Sequence, residues 1–211
     1  FQIVAAKILI DNGLIIENFH GVLGIFEIGR IAAQILTIFI IVAIINAINF
    51  IDGIDGLAIS AVIFFIVSFE FFANNTSPFY SLSQIIVISL LPLYYFNFKN
   101  NNKVFLGDSG SLFLGSLVSV YTIYILNNDY IIKEAYDLNK IIYVFSILTY
   151  PIIDMIRVFF IRIYRRRSPF LADKNHIHHI LIRKFQSHSL VVFGIYLVNI
   201  LVLVLLQIIF S

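Results

Sequence analysis

Six long apolar runs, parted by short polar connectors, constrain this chain more than any other feature. They lie at about 31–51, 57–73, 83–98, 110–127, 140–163 and 190–210. A helix needs about 20 predominantly apolar residues to cross the hydrocarbon core of a bilayer. Several runs reach that length, and the shorter ones need help from their flanks. In lipid every backbone N–H and carbonyl must be paired internally, and the alternation of a membrane barrel is absent, so helices are the spanning form. No soluble core could hide this much Ile, Leu, Val and Phe. Of the 211 residues 60% are hydrophobic and 12% charged, against about half and a quarter in soluble proteins. The expectation is an all-α polytopic membrane protein with about six transmembrane helices. A net charge of +2 gives no basis for a nucleic-acid partner. The absence of cysteine rules out disulfides and thiolate metal sites.

Residues 1–30 are mixed. Lys7 to Glu17 holds two short β-prone runs around Asp11-Asn12-Gly13, which predicts a hairpin, and His20-Gly-Val-Leu-Gly24 predicts a further turn. The chain therefore reads as a helix end and extracytoplasmic hairpin over 1–30, then a transmembrane core over 31–211. With six spans, one face carries Lys99, Lys103, Arg157, Arg162, Arg165, Arg166, Arg167, Lys174, Arg183 and Lys184. The other carries Lys7, Arg30, Lys133 and Lys140. The richer face is expected to be cytoplasmic. It also receives three polar stretches far apart in sequence, at 49–58, 104–111 and 164–189. No internal repeat of the kind found in many transporters is visible.

Those three stretches carry the chemistry. In the first, Asn46, Asn49, Asp52 and Asp55 recur every third residue at the end of an apolar run. Ionisable groups at membrane depth are costly and usually mark a site. The two Asp-Gly pairs predict that a helix opens into a turn here. Asp52 and Asp55 could ligate a hard cation, accept hydrogen bonds from a sugar or base, or simply cap the next helix. In the second, Gly107-Asp108-Ser-Gly110-Ser opens a membrane helix, where free N–H groups suit phosphate and Asp108 suits either a metal or a cap. In the third, His176, His178 and His179 follow an arginine run. A zinc site is conceivable, but the cationic setting disfavours a second divalent ion without carboxylates, and a diphosphate fits better. Arg165 to Arg167 read as topological or lipid-phosphate binding residues. Asp154 and Arg157, three apart, read as a local ion pair, and Glu70, His20 and His188 as surface residues.

Together these stretches resemble the polyprenyl-phosphate N-acetylhexosamine-1-phosphate transferase family. The matching residues are Asn46-Ala-Ile-Asn49-Phe-Ile-Asp52-Gly-Ile-Asp55-Gly56-Leu-Ala58, Gly107-Asp108-Ser-Gly110-Ser, and Ser168-Pro-Phe170 followed by Asp173 and His176-Ile-His178-His179. The form of the histidine motif resembles the undecaprenyl-phosphate N-acetylglucosamine-1-phosphate transferase branch rather than the muramoyl-pentapeptide branch. The resemblance implies transfer of a sugar-1-phosphate from a UDP-sugar to undecaprenyl phosphate at the cytoplasmic face of the bacterial inner membrane, releasing UMP and initiating a cell-surface glycan such as lipopolysaccharide or a wall polymer. It implies Mg²⁺, with Mn²⁺ as a substitute, held by Asn49 and Asp108. It assigns Asp55 to the uridine, Asp52 to the metal and phosphate site, and His176, His178 and His179 to phosphate or sugar. Asn46, Gly56 and Asp173 join the substrate contacts, membrane lipid is the surrounding partner, and a homodimer is left open.

One departure stands out. The family carries an adjacent aspartate pair on an earlier cytoplasmic loop, and no Asp-Asp occurs in these 211 residues, which begin at Phe1. A chain missing its N-terminal part, and catalytically incomplete as it stands, is therefore expected. The competing class is a transporter or channel with a cytoplasmic metal site.

Overall fold

The computed structural model describes residues 1–19, 24–73, 76–99, 101–128, 140–166, 168 and 175–210. Among these, nine helices form in order: α1 (Gln2–Asp11), α2 (Arg30–Ile51), α3 (Leu57–Phe72), α4 (Tyr80–Asn97), α5 (Gly107–Asn127), α6 (Lys140–Ile147), α7 (Thr149–Tyr164), α8 (Ile177–Phe185) and α9 (His188–Phe210). The all-α membrane class holds. By length and apolarity α2, α5 and α9 can each cross a bilayer, and α6 with α7 counts as a fourth span only if the bent pair is taken as one. α3 is apolar but has 16 residues, and α4 carries Pro92.

The hairpin around Asp11-Asn12-Gly13 does not form. Residues 2–11 are helical, with Lys7 paired to Asp11 one turn on. Asn12 and Gly13 end that helix, Gly13 at φ +87°, the left-handed geometry that a glycine supplies after a helix C-terminus. A single antiparallel bridge instead joins Asn18 to Glu27, flanked by Phe19 N–H to the Phe26 carbonyl (2.7 Å) and Ile28 N–H to the Glu17 carbonyl (3.0 Å). His20 lies outside the described residues.

α2 and α5 pack antiparallel at the centre. A Cβ at Gly115 would stand 2.8 Å from the Ile45 Cα, so only glycine permits this approach. One turn from that contact on each helix, Asn49 donates to Ser111 Oγ at 2.8 Å. The close packing thus sets the register of the first and second polar stretches. At the far end of the bundle an aromatic cluster closes the core, with Tyr121 against Phe69 (4.9 Å) and Phe79 (4.8 Å). Glu70 faces this end and accepts from Ser77 and Ser83, so it is not a bare surface residue.

The fifth apolar run breaks by 77° between α6 and α7. Pro151 explains the position, since it has no N–H to give the Ile147 carbonyl one turn back. Asn199 of α9, buried, takes over: its Nδ2 donates to the Ile147 carbonyl (3.3 Å) and its Oδ1 accepts from Tyr150 N–H (3.2 Å). An intramembrane asparagine thereby satisfies the backbone groups freed at the break.

Candidate functional site

The first polar stretch opens as the Asp-Gly pairs predict. α2 ends at Ile51, Asp52 caps it, and α3 begins after Gly56. Gly56 has φ +75°, and a Cβ there would also collide with the Phe98 ring. Its N–H donates to Asn97 Oδ1 at 2.5 Å, and Asn97 Nδ2 donates to the Val104 carbonyl at 2.7 Å. Asn97 therefore ties the turn to the α4–α5 loop.

Three carboxylates share this end of the bundle. Burial, then the charges of Asp108 and Asp55, push the Asp52 carboxyl up to about 7. Asp108 sits in the first turn of α5, where the helix dipole favours an anion. Ser111 Oγ, which accepts from Asn49, itself donates toward the carbonyls of Gly107 (3.1 Å) and Asp108 (3.2 Å). Asn49 uses its amide nitrogen in that bond, so its oxygen is the atom left for a cation. Asp55 Oδ2 is held by Lys103 Nζ and by His188 Nδ1, both at 2.6 Å.

Asn46 faces elsewhere. Its amide exchanges two hydrogen bonds with Gln2 (2.9 and 3.2 Å) and donates to the Val42 carbonyl. It tethers α1 to α2, and these bonds engage both ends of its amide.

The histidines reach the turn from the other direction. A Cβ at Gly53 would stand 2.8 Å from His178 Nε2 and 3.2 Å from the His179 ring. The Phe50 ring lies 5.9 Å from that of His176. Behind the histidines stands Asp154, fully buried on α7. Its Oδ2 contacts His176 Nδ1 at 2.8 Å, and its Oδ1 accepts the Ile177 N–H at 2.7 Å, capping α8. Tyr150 OH bonds His178 Nδ1 at 2.9 Å. That leaves His178 Nε2 buried without a hydrogen-bond partner, on the side facing Gly53. Burial, then the neighbouring His179, pushes the His178 imidazole down to about 3, so it is neutral at ordinary pH.

The Asp154–Arg157 ion pair expected from the sequence does not form among the described residues. Arg157 donates to the Asn175 carbonyl at 2.7 Å instead, because Asp154 turns to the histidines. Ligand atoms of Asp154, His176 and His178 lie within 4.8 Å of one another, close enough to hold a metal ion. Asp154 thus brings a carboxylate to the histidines from a different element. Asp154 Oδ2 pairs with His176 Nδ1, Asp154 Oδ1 with the Ile177 N–H, and His178 Nδ1 with Tyr150 OH.

A family model described as glycosyl transferase family 4 matches residues 1–126, more than half of the sequence. The chain belongs to this family. It is 34% identical over 191 residues to the undecaprenyl-phosphate alpha-N-acetylglucosaminyl 1-phosphate transferase of Haemophilus influenzae, covering 86% of this chain and 52% of that protein. It is 34% identical over 119 residues to a probable undecaprenyl-phosphate N-acetylglucosaminyl 1-phosphate transferase of Bacillus subtilis (56% and 31% covered). It is 32% identical over 121 residues to a decaprenyl-phosphate N-acetylglucosaminephosphotransferase of Mycobacterium leprae (55% and 30%). The chain spans about half or less of the length of these curated relatives.

For this glycosyl transferase family 4 chain the structure brings together Asn49, Asp52, Asp55, Gly56, Asp108, His176, His178 and His179. Asp173 lies outside the described residues. Sequence reasoning passed over Asn97, Lys103, Ser111, Tyr150, Asp154 as a histidine partner, and His188. A usable signal existed for Asp154, a lone carboxylate in an apolar run; His188 and Lys103 carried none.

Proposed function

We propose that the protein transfers a sugar-1-phosphate, N-acetylglucosamine-1-phosphate in the first instance, from a UDP-sugar to undecaprenyl phosphate, at the cytoplasmic face of a bacterial inner membrane. The observation that carries this reading is the convergence at residues 52–56: three carboxylates from two elements meet buried histidines from a third. The names of the family relatives point to the same reaction.

The donor set fits a hard cation. Asn49 offers an amide oxygen and Asp108 a carboxylate, the ligands that Mg²⁺ prefers. The raised Asp52 carboxyl reports local negative charge that a cation would offset. Mg²⁺ bound there would neutralise the donor diphosphate, and Mn²⁺ offers the same chemistry. The chain's own groups supply positioning, which is most of catalysis in phosphoryl transfer. Asp55 accepts from the uracil, with the Gly56 turn packed against Phe98 beside it. Asp52 supports the phosphate site. His178 and His179 stand across Gly53, where imidazole N–H groups can donate to phosphate oxygens, and Asp154 holds His176 beside them. The acceptor phosphate oxygen attacks the sugar-linked phosphorus, and the bond to UMP breaks.

An apolar groove between α2, α5, α6 and α7, lined among others by Leu36, Ile40, Ile44, Val144, Leu148 and Ile152, suits an isoprenoid chain. On α2 it ends within about a turn of Asn46.

The test is UMP release by the complete gene product in detergent, given UDP-GlcNAc and undecaprenyl phosphate. Turnover is expected only with Mg²⁺, and Asp108→Ala should abolish it. Undiminished turnover in excess chelator would overturn the mechanism.

A further inference from the structure

We propose that His188, acting with Lys103, is a positioning residue that presents Asp55 to the nucleobase. The inference rests on the reading of Asp55 as the uridine contact. His188 Nδ1 lies 2.6 Å from Asp55 Oδ2 and accepts the Asp55 backbone N–H at 3.3 Å. Lys103 Nζ meets the same oxygen at 2.6 Å. The three groups come from three elements: the 52–56 turn, the α4–α5 loop and the first residue of α9. Lys103 and His188 therefore converge on Oδ2, and His188 also anchors the Asp55 backbone. Among the described residues no protein group donates to Oδ1. The Lys103 ammonium alone would suffice to neutralise the carboxylate; the imidazole beside the same oxygen, bonded to the Asp55 N–H, restricts its rotation and leaves the other oxygen for a ligand donor. Uracil offers such a donor in its imide N–H; cytosine has an acceptor at the equivalent position and would be rejected.

Helix architecture does not account for His188. It begins α9, but the N–H it meets is that of Asp55 and not one of its own helix, whose Leu190 N–H is met by Ser187 Oγ instead. No charged partner other than Asp55 is recorded for it among the described residues. Lys103 is steadied separately, its ammonium lying 5.0 Å from the centre of the Phe105 ring. With His188 removed, Lys103 alone would hold Oδ2, and a single flexible ammonium does not fix the plane of the carboxylate.

The experiment is titration calorimetry of UMP against the complete gene product in detergent with Mg²⁺, alongside steady-state kinetics with UDP-GlcNAc. His188→Ala should weaken UMP binding about tenfold, the scale of one hydrogen bond. It should raise the KM for UDP-GlcNAc by a similar factor and leave kcat and the KM for undecaprenyl phosphate within about twofold. His188→Asn, whose amide oxygen can accept the Asp55 N–H as Nδ1 does, should recover most of the loss, and CMP should compete poorly against the wild type. Unchanged UMP affinity in His188→Ala would overturn the inference, as would a wild type that binds no UMP. Equal losses in the Ala and Asn variants with a lowered melting temperature would reduce His188 to a structural role. If UMP binds but no sugar phosphate is transferred, the proposed reaction fails while the positioning role stands.

Discussion

Gly115→Ala tests the link between helix packing and the site, because the same exchange at Gly194 is a built-in control. Both glycines lie inside helices, so alanine gains about 1 kcal/mol of helix propensity at either position. At Gly194 the new methyl meets nothing within 4 Å, so the gain should appear as added stability. At Gly115 it would stand 2.8 Å from the Ile45 Cα and 3.1 Å from the Ile45 carbonyl oxygen, backbone atoms that no side-chain rotation can move. To reach ordinary contact at roughly 3.4 Å, α2 and α5 must part by about 0.6 Å, an overpacking cost of about 1–3 kcal/mol. Since the propensity gain is common to both, the variants should differ by that whole amount, a melting-temperature gap on the order of 5 °C for a protein of this size. The Asn49–Ser111 bond, now 2.8 Å, would stretch toward about 3.4 Å, the margin of a hydrogen bond. Thermal unfolding in detergent reads the first effect and UMP release the second. Activity should fall at least tenfold in Gly115→Ala and stay at the wild-type level in Gly194→Ala. Equal melting temperatures and equal activities would refute the argument that this one close contact sets the register of Asn49 and Ser111.

Two further outcomes follow from the same site. Asp52 binds its proton more tightly in the folded state, at about 7 against an ordinary 3.8. Metal-free protein should therefore lose stability as pH rises from about 4 to about 7, and then level off. Asp52→Asn should flatten that slope in a pH series of melting curves; a slope that survives the substitution assigns it to other groups. Asp154→Ala removes both the α8 cap and the His176 contact, a loss of roughly 3 kcal/mol, and should abolish activity. Asp154→Asn keeps an acceptor for the Ile177 N–H and should melt between the two; an alanine variant indistinguishable from wild type would discredit the assignment.

The helical membrane class was legible because the apolar runs are long and uninterrupted, and the 52–56 turn because Asp-Gly pairs halt a helix. Four features escaped, each for a physical reason. Asp11-Asn12-Gly13 suits a hairpin and a helix end equally, since both use glycine at positive φ, and the Lys7–Asp11 pair together with the packing of α1 on Asn46 decides for the helix. The bend before α7 had its signal in Pro151, but the group that accommodates it, Asn199, lies about fifty residues away on another helix. Asp154 and Arg157 share a helix face and suggest each other; the fold supplies the histidine loop as a stronger partner for one and the Asn175 carbonyl for the other. His188 looked like surface because its whole role comes from Asp55, 133 residues earlier. Local pattern reports what a residue can do with its neighbours, and these residues act through distant ones.

The contact between Asp55 and the first residue of α9 also bears on how the protein is made. Translation and membrane insertion run from the N-terminus, so the 52–56 turn emerges well before its partner does. Until α9 is inserted, the carboxylate can be held only from the α4–α5 loop, and a ribosome-bound intermediate would have an unfinished nucleotide pocket. Nascent chains released before α9 has inserted should therefore capture little nucleotide, and insertion of that helix acts as an assembly checkpoint for ligand capture.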